Sequence, residues 1–215
     1  MTSPLTAFAS HRSLADAFFP LVLDAVQTVL ANNAGLVVGC CTGADEQVIR
    51  AAMMLGAARR LVILAAFGPQ GEGAFELSAV ETVLEATALG TDTRFFTGGP
   101  LEQPLATRLA QRTRAMIACA RRSLDARLVA FFGRPNSRGT YLAVRAAVAA
   151  GLPVIAFACG MDPAHMPRPG SGAWVPVSDA AMPGALAWRA AVARQRPLAV
   201  PSWPARRTSG AGGPR

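Results

Sequence analysis

Short runs of consecutive apolar residues recur along the chain at 5–9, 35–39, 61–66, 127–132 and 152–158, each bounded by Gly, Pro or Asn. Between them lie longer, Ala-rich stretches in which apolar residues return at helical spacing, at 16–32, 44–55, 74–89, 101–123 and 139–150. A run that is apolar on both faces and only five or six residues long reads as a strand buried on both sides. Strands of that kind alternating with helices predict an α/β fold: a Rossmann-like doubly wound, mostly parallel sheet with helices on both faces. Two weaker strands are predicted at 93–96 and 173–177. The helix at 139–150 has the clearest punctuation, with Ser137, Gly139 and Thr140 at its entrance and Gly151 and Pro153 at its exit.

Composition agrees with one domain. With 52% hydrophobic and 16% charged residues in 215, the chain has enough apolar surface for a covered sheet and too little charge for wholesale disorder. From residue 194 onward the sequence turns to Arg, Pro, Gly and Ser, and segment 194–215 is predicted to be a disordered tail behind a single domain at 1–193. The formal charge of +8 shrinks once it is located: residues 1–193 hold 16 Arg against 13 acids, a net of +3. All the basic residues except histidine are arginines, as GC-rich codon usage also produces. The longest apolar stretch, 146–159, falls short of the ~20 residues that a membrane span needs. No basic segment precedes the short apolar run at 5–9, so a secretory signal is not expected and the predicted location is cytoplasmic. Cys40, Cys41, Cys119 and Cys159 lack metal-site spacing and read as buried small hydrophobes. Two histidines and no carboxylate cluster predict no metal site.

Ligands of open α/β sheets sit at the carboxyl ends of the strands. Three loops there carry chemistry: Ser10-His11-Arg12-Ser13, Gly39-Cys40-Cys41-Thr42-Gly43-Ala44-Asp45, and Gly133-Arg134-Pro135-Asn136-Ser137-Arg138-Gly139-Thr140. Small residues before a helix let backbone N–H groups approach an anion, and the helix amino end adds partial positive charge. Ser10, Arg12, Gly39, Thr42, Gly43, Asp45, Arg112, Asn136, Ser137, Gly139 and Thr140 are therefore the candidate ligand-binding residues. Hydroxyls of Ser137 and Thr140 and the forks of Arg12 or Arg138 suit phosphate oxygens. Asp45 is a contact to a ribose hydroxyl or a helix cap. His11 reads as a rim residue, Arg121 and Arg122 as the wet side of helix 101–123, and Arg108, Arg112 and Arg114 either as part of that wet side or as ligand contacts.

The order of these segments, with Arg-x-Arg-x-Met-Ile at 112–117, Asn-Ser-x-Gly-Thr at 136–140 and Gly-x-Pro-Val at 151–154, resembles the SLOG superfamily over residues 4–158. That superfamily includes Lonely guy phosphoribohydrolases, the Rossmann domain of DNA-processing protein A, molybdenum-cofactor carriers and YpsA-like nucleotide sensors. The resemblance implies a Rossmann-like sheet holding a nucleotide or phosphorylated nucleotide derivative, a small phosphorylated ligand as partner, and a homo-oligomer. The Ala-rich faces of helices 44–55 and 139–150 are candidates for its interface. Lonely guy enzymes carry Pro-Gly-Gly-x-Gly-Thr-x-x-Glu near residue 140, and Ala143 stands at the position of their catalytic Glu. A sensor or carrier is therefore expected ahead of an enzyme. Two alternatives follow: N-glycosidic hydrolysis with Asp45 or Glu46 replacing that Glu, or single-stranded DNA binding. The second rests on the similarity of 137–160 to the Gly-Ser-x-x-Thr-Ala-Arg segment of DNA-processing protein A, with Arg145 at the Arg position.

Overall fold

A computed structural model describes residues 4–178 and 181–191. The tail at 194–215 and its boundary with the domain lie outside the described residues. The strands are β1 (Leu5–Ser10), β2 (Gly35–Val38), β3 (Leu61–Leu64), β4 (Asp92–Arg94), β5 (Arg127–Phe132), β6 (Val154–Ala158), β7 (Gly172–Pro176) and β8 (Leu186–Ala190). The helices are α1 (Phe19–Ala31), α2 (Ala44–Met54), α3 (Leu77–Ala88), α4 (Leu105–Arg121) and α5 (Arg138–Ala149).

All eight strands form one sheet in the order β4-β3-β2-β1-β5-β6-β8-β7. The first six are parallel, and β8 and β7 close one edge antiparallel. Chain order reverses at β1, which has β2 on one side and β5 on the other, so the topological switch point lies between β1 and β5.

Alternate strand residues face two cores. Phe8, Leu36, Val38, Ile63, Val129 and Phe131 pack under α1, α2 and α3, whereas Ala7, Val37, Leu128, Ala130, Phe132 and Ala156 pack under α4 and α5. The period of two along a strand produces this division, and burial on both faces explains why these strands read as continuous apolar runs. Phe8, Phe131 and Phe157 stack across β1, β5 and β6 with ring centroids 6.5 and 5.3 Å apart, a ladder contributing about 0.5–1.5 kcal/mol per pair beyond area burial.

The predicted architecture is present, with local differences. The segment 16–32 begins as a single 3-10 turn, Asp16–Phe18, before α1, whose Pro20 occupies a first-turn position that needs no N–H partner. Helix α4 starts at Leu105 rather than 101, because Pro104 is its N-cap, and α3 starts at Leu77 rather than 74. Strand β8 was not expected from the sequence. It pairs with β6 and β7 and brings Trp188 edge-on to Trp174, which in turn meets Phe132. The Ala-rich faces proposed for an oligomer interface are used within the chain: Ala44, Ala51 and Ala52 of α2, and Ala143 and Ala147 of α5, are wholly buried in the two cores. No helix among the described residues is long and apolar enough to cross a membrane.

Candidate functional site

A cavity of about 570 Å³ opens at the carboxyl ends of β1 and β5, at the switch point. The loop after β1 forms one wall with Ser10, His11, Arg12 and Ser13; Asn136, Ser137, Arg138, Gly139 and Thr140 form another at the amino end of α5; α4 closes the site with Leu109, Arg112 and Met116. The sheet dictates this convergence, because β1 and β5 are direct neighbours and both release their chains at the same edge.

The amino end of α5 is left uncapped by any side chain. A helix leaves its first N–H groups without intrahelical partners, and an N-cap serine usually accepts from one of them. Ser137 occupies the N-cap position of α5, yet no side chain caps this helix. Ser137 and Thr140 are only 4% and 1% exposed, and neither hydroxyl oxygen has a protein partner. Arg112 Nε, also buried, is unpaired too. Three orphaned polar atoms on residues lining one cavity stand beside uncapped backbone N–H groups and the exposed Arg12 and Arg138.

The glycine-rich loop at 39–45 lies behind this wall. Asp45 Oδ2 accepts from the Cys41 N–H at 3.2 Å and pairs with Arg112 Nη1 at 3.1 Å, while Arg112 Nη2 donates to Cys41 Sγ at 3.0 Å. Gly39 is small to make room for Arg112, since a Cβ there would fall on the guanidinium. Gly43 adopts φ 76° and ψ −133°, a glycine-only conformation, and a Cβ would strike the Arg12 carbonyl. Thr42 Oγ1 donates to that same carbonyl at 3.4 Å. Thus Ser10, Arg12, Asp45, Arg112, Asn136, Ser137, Gly139 and Thr140 of the sequence-derived candidates line the cavity, whereas Gly39, Thr42 and Gly43 buttress it from outside. Asp45 does not cap α2, whose N-cap is Gly43, and its carboxylate is engaged by Arg112 and Cys41.

Arg108 and Arg112, for which a wet helix face was one of two readings, are buried. Arg108 donates to the carbonyls of Ala66 at 2.7 Å and Gly73 at 3.0 Å, clamping the loop after β3, and Arg112 holds Asp45. Arg114, Arg121 and Arg122 lie in an exposed groove between α4 and α5, remote from the cavity lining, and Arg145 is exposed over the Tyr141 ring. Sequence reasoning also missed the apolar wall from Leu109 and Met116, whose only signal was the apolar stripe of α4.

Electrostatics fix protonation states. Burial lowers the pKa of His11, with Arg134 and Arg12 adding to the effect against the Ser13 N–H, which donates to Nδ1 at 3.2 Å. His11 is therefore neutral at pH 7, and with Nδ1 accepting, Nε2 carries its proton. Burial works against the Arg112 charge but is outweighed, with the Asp45 carboxylate paired to it, so the guanidinium stays ionised. Burial pushes the Cys40 thiol up to about 11 and raises Cys41 as well, leaving neither a thiolate nucleophile. Among the described residues, no three His, Cys, Asp or Glu side chains gather as a metal site.

Glu46, a proposed stand-in for the Lonely guy carboxylate, is held by Arg50 at 2.6 Å and by the Thr82 hydroxyl at 3.5 Å and does not line the cavity. Ala143 is wholly buried beneath α5. Asp45 is the one carboxylate among the residues that line the cavity.

A doubly wound sheet with a ligand-sized crevice at its switch point defines a Rossmann-like α/β domain. Two solved structures of DNA processing protein A (DprA), members of the SLOG/Rossmann-like superfamily, share this fold. The protein from Streptococcus pneumoniae matches with a TM-score of 0.55 and 21% identity, over 73% of this chain and 50% of its own. The protein from Helicobacter pylori, whose structure concerns a single-stranded DNA binding mode, matches with a TM-score of 0.56 and 14% identity, over 73% and 66%. The match thus spans between half and two thirds of the DprA chains. No protein-family model matches the chain, and no curated protein does.

Proposed function

We propose that the crevice binds nucleotide units through their phosphates, and that its ligand is single-stranded DNA. The observation that carries the phosphate assignment is the set of orphaned buried donors on residues lining the cavity: Ser137 Oγ and Thr140 Oγ1 at the amino end of α5, and Arg112 Nε on α4. A buried polar group without a partner costs about 1–3 kcal/mol, and a phosphate offers each of them an acceptor while neutralising Arg12 and Arg138. The fold shared with DprA supports an oligonucleotide over a free nucleotide. The modest charge of residues 1–193 fits a local phosphate site better than a long electrostatic channel. A second reading, a sensor or carrier of one free nucleotide, is favoured by the cavity volume, which suits a single small ligand.

Fluorescence anisotropy with a labelled oligo-dT and thermal shift with mononucleotides test both readings on the full chain. Gly139→Glu is the sharpest variant, because Gly139 is exposed and a Cβ there meets nothing within 4 Å. A carboxylate in the first turn of α5 is expected to abolish binding without unfolding the protein; Thr140→Glu, at a buried position, should abolish binding with a loss of stability as well. Both variants retain every arginine beyond residue 193. Undiminished binding by folded Gly139→Glu would assign oligonucleotide affinity to charge elsewhere and overturn the site. A shift with mononucleotides and no oligonucleotide binding would select the second reading.

A further inference from the structure

Arg12 has a second contact that a phosphate site does not require. Its guanidinium lies over the ring of Phe75 with Cζ 5.1 Å from the centroid, and among the described residues it makes no ion pair. Phe75 belongs to the loop between β3 and α3 and is 49% exposed. An aromatic ring half in water is ordinarily left free to move, yet this loop is pinned. Gly71 N–H donates to the Gly68 carbonyl at 2.9 Å, Ala74 N–H to the Gly71 carbonyl at 3.0 Å, and the buried Arg108 holds the carbonyls of Ala66 and Gly73. A buried charged side chain thereby fixes the segment that carries Phe75 at the rim of the cavity.

A guanidinium over a ring has a planar cationic face, and such a group stacks on a nucleobase as readily as on an aromatic side chain. Arg12 lines the phosphate cavity and touches Phe75 at once, so a nucleotide whose phosphate lies at α5 has this stack beside it. We propose that Arg12 and Phe75 form a base-stacking platform, so that the site recognises a planar base together with its phosphate rather than a bare phosphate or sugar phosphate. Neither side chain reads hydrogen-bonding edges of a base by stacking, so the platform accepts every base. This inference rests on the phosphate reading above.

The test compares oligo-dT with an oligomer of equal length whose central nucleotides are abasic. Stacking of one base is worth about 5- to 150-fold in affinity, and a half-exposed platform belongs near tenfold. The wild-type chain should bind oligo-dT about tenfold more tightly than the abasic oligomer. Phe75→Ala should erase that preference, so that the two oligomers bind alike, and Phe75→Trp should keep it. A preference that survives Phe75→Ala, or is missing from the wild type, overturns the platform. Loss of abasic binding in Gly139→Glu reports on the phosphate site separately, so the platform can fail while the site stands. Binding of neither oligomer overturns both.

Discussion

Replacing Arg112 by leucine isolates the role of the buried ion pair. Arg112 and Asp45 are each 5% exposed, 3.1 Å apart, and Gly39 leaves space for the guanidinium. Removing one partner of a buried pair costs about 3–5 kcal/mol, because the other charge stays behind uncompensated. Burial already pushes the Asp45 carboxyl above its ordinary range, opposed chiefly by Arg112 and then by the Cys41 N–H. Without Arg112 that rise grows. A carboxyl whose pKa is higher in the folded state keeps its proton where the unfolded chain, titrating near 3.9, has lost it. Its contribution to stability is therefore full at acid pH and lost as pH climbs through the raised value, at about 1.4 kcal/mol per pH unit within that interval. Arg112→Leu should lose about 3–5 kcal/mol at pH 7.5, lowering Tm by about 6–20 °C at 2–4 °C per kcal/mol, and lose visibly less at pH 5. Urea melts of wild type, Arg112→Leu and Arg112→Leu/Asp45→Asn at both pH values measure it; the double variant should show little difference between them. An equal loss for Arg112→Leu at pH 5 and pH 7.5 would refute the uncompensated-charge argument and leave a packing defect as the cause.

His11 offers a reporter of the same cavity. Burial and Arg134 hold its pKa below the ordinary value, so the unfolded chain takes up this proton first as pH falls, and the stability tied to His11 is present at neutral pH and declines through about pH 6.5 and below. NMR titration of the imidazole should show that low pKa, and saturating oligo-dT should raise it, since a phosphate favours the protonated ring; no shift on binding would place the phosphate elsewhere. Gly43→Ala should destabilise the fold by about 1–3 kcal/mol, because its glycine-only conformation and its contact with the Arg12 carbonyl resist a side chain, and a urea midpoint close to wild type would show the loop re-forming around the methyl group.

The layered sheet was legible because burial on both faces leaves β1, β2, β3, β5 and β6 almost wholly apolar, apart from Thr6, Ser10 and Arg127. β8 left no such mark. It lies between β6 and β7 with Arg189 and Ala190 exposed, and its pairing with both is set by tertiary contact rather than local pattern. The two cavity loops were legible from the strand-end rule, but the division of labour among glycines was not. Gly39 and Gly43 look the same in sequence whether a phosphate or a neighbouring atom of the protein approaches them, and here Arg112 and the Arg12 carbonyl do so. The burial of Arg108 and Arg112 was not legible for a related reason: it depends on carbonyls of the loop after β3 and a carboxylate of α2 that helix periodicity cannot report.

The chemistry of the cavity also bears on what it does with a bound nucleotide. Cleaving an N-glycosidic bond calls for a group that activates water or stabilises positive charge developing on the sugar. Among the residues lining the cavity, a carboxylate for that task comes only from Asp45, and its Oδ2 is committed to Arg112 and to the Cys41 N–H. Freeing it would leave a buried guanidinium without its counter-ion, at a cost comparable to the stabilisation a carboxylate gives a transition state. Glu46 is tied to Arg50 and Thr82, and the position of Ala143 faces the core rather than the ligand. The unpaired groups, Ser137, Thr140 and Arg112 Nε, supply no negative charge to a cationic sugar. Under the function proposed above, such an arrangement would hold a phosphate without lowering the barrier to losing the base.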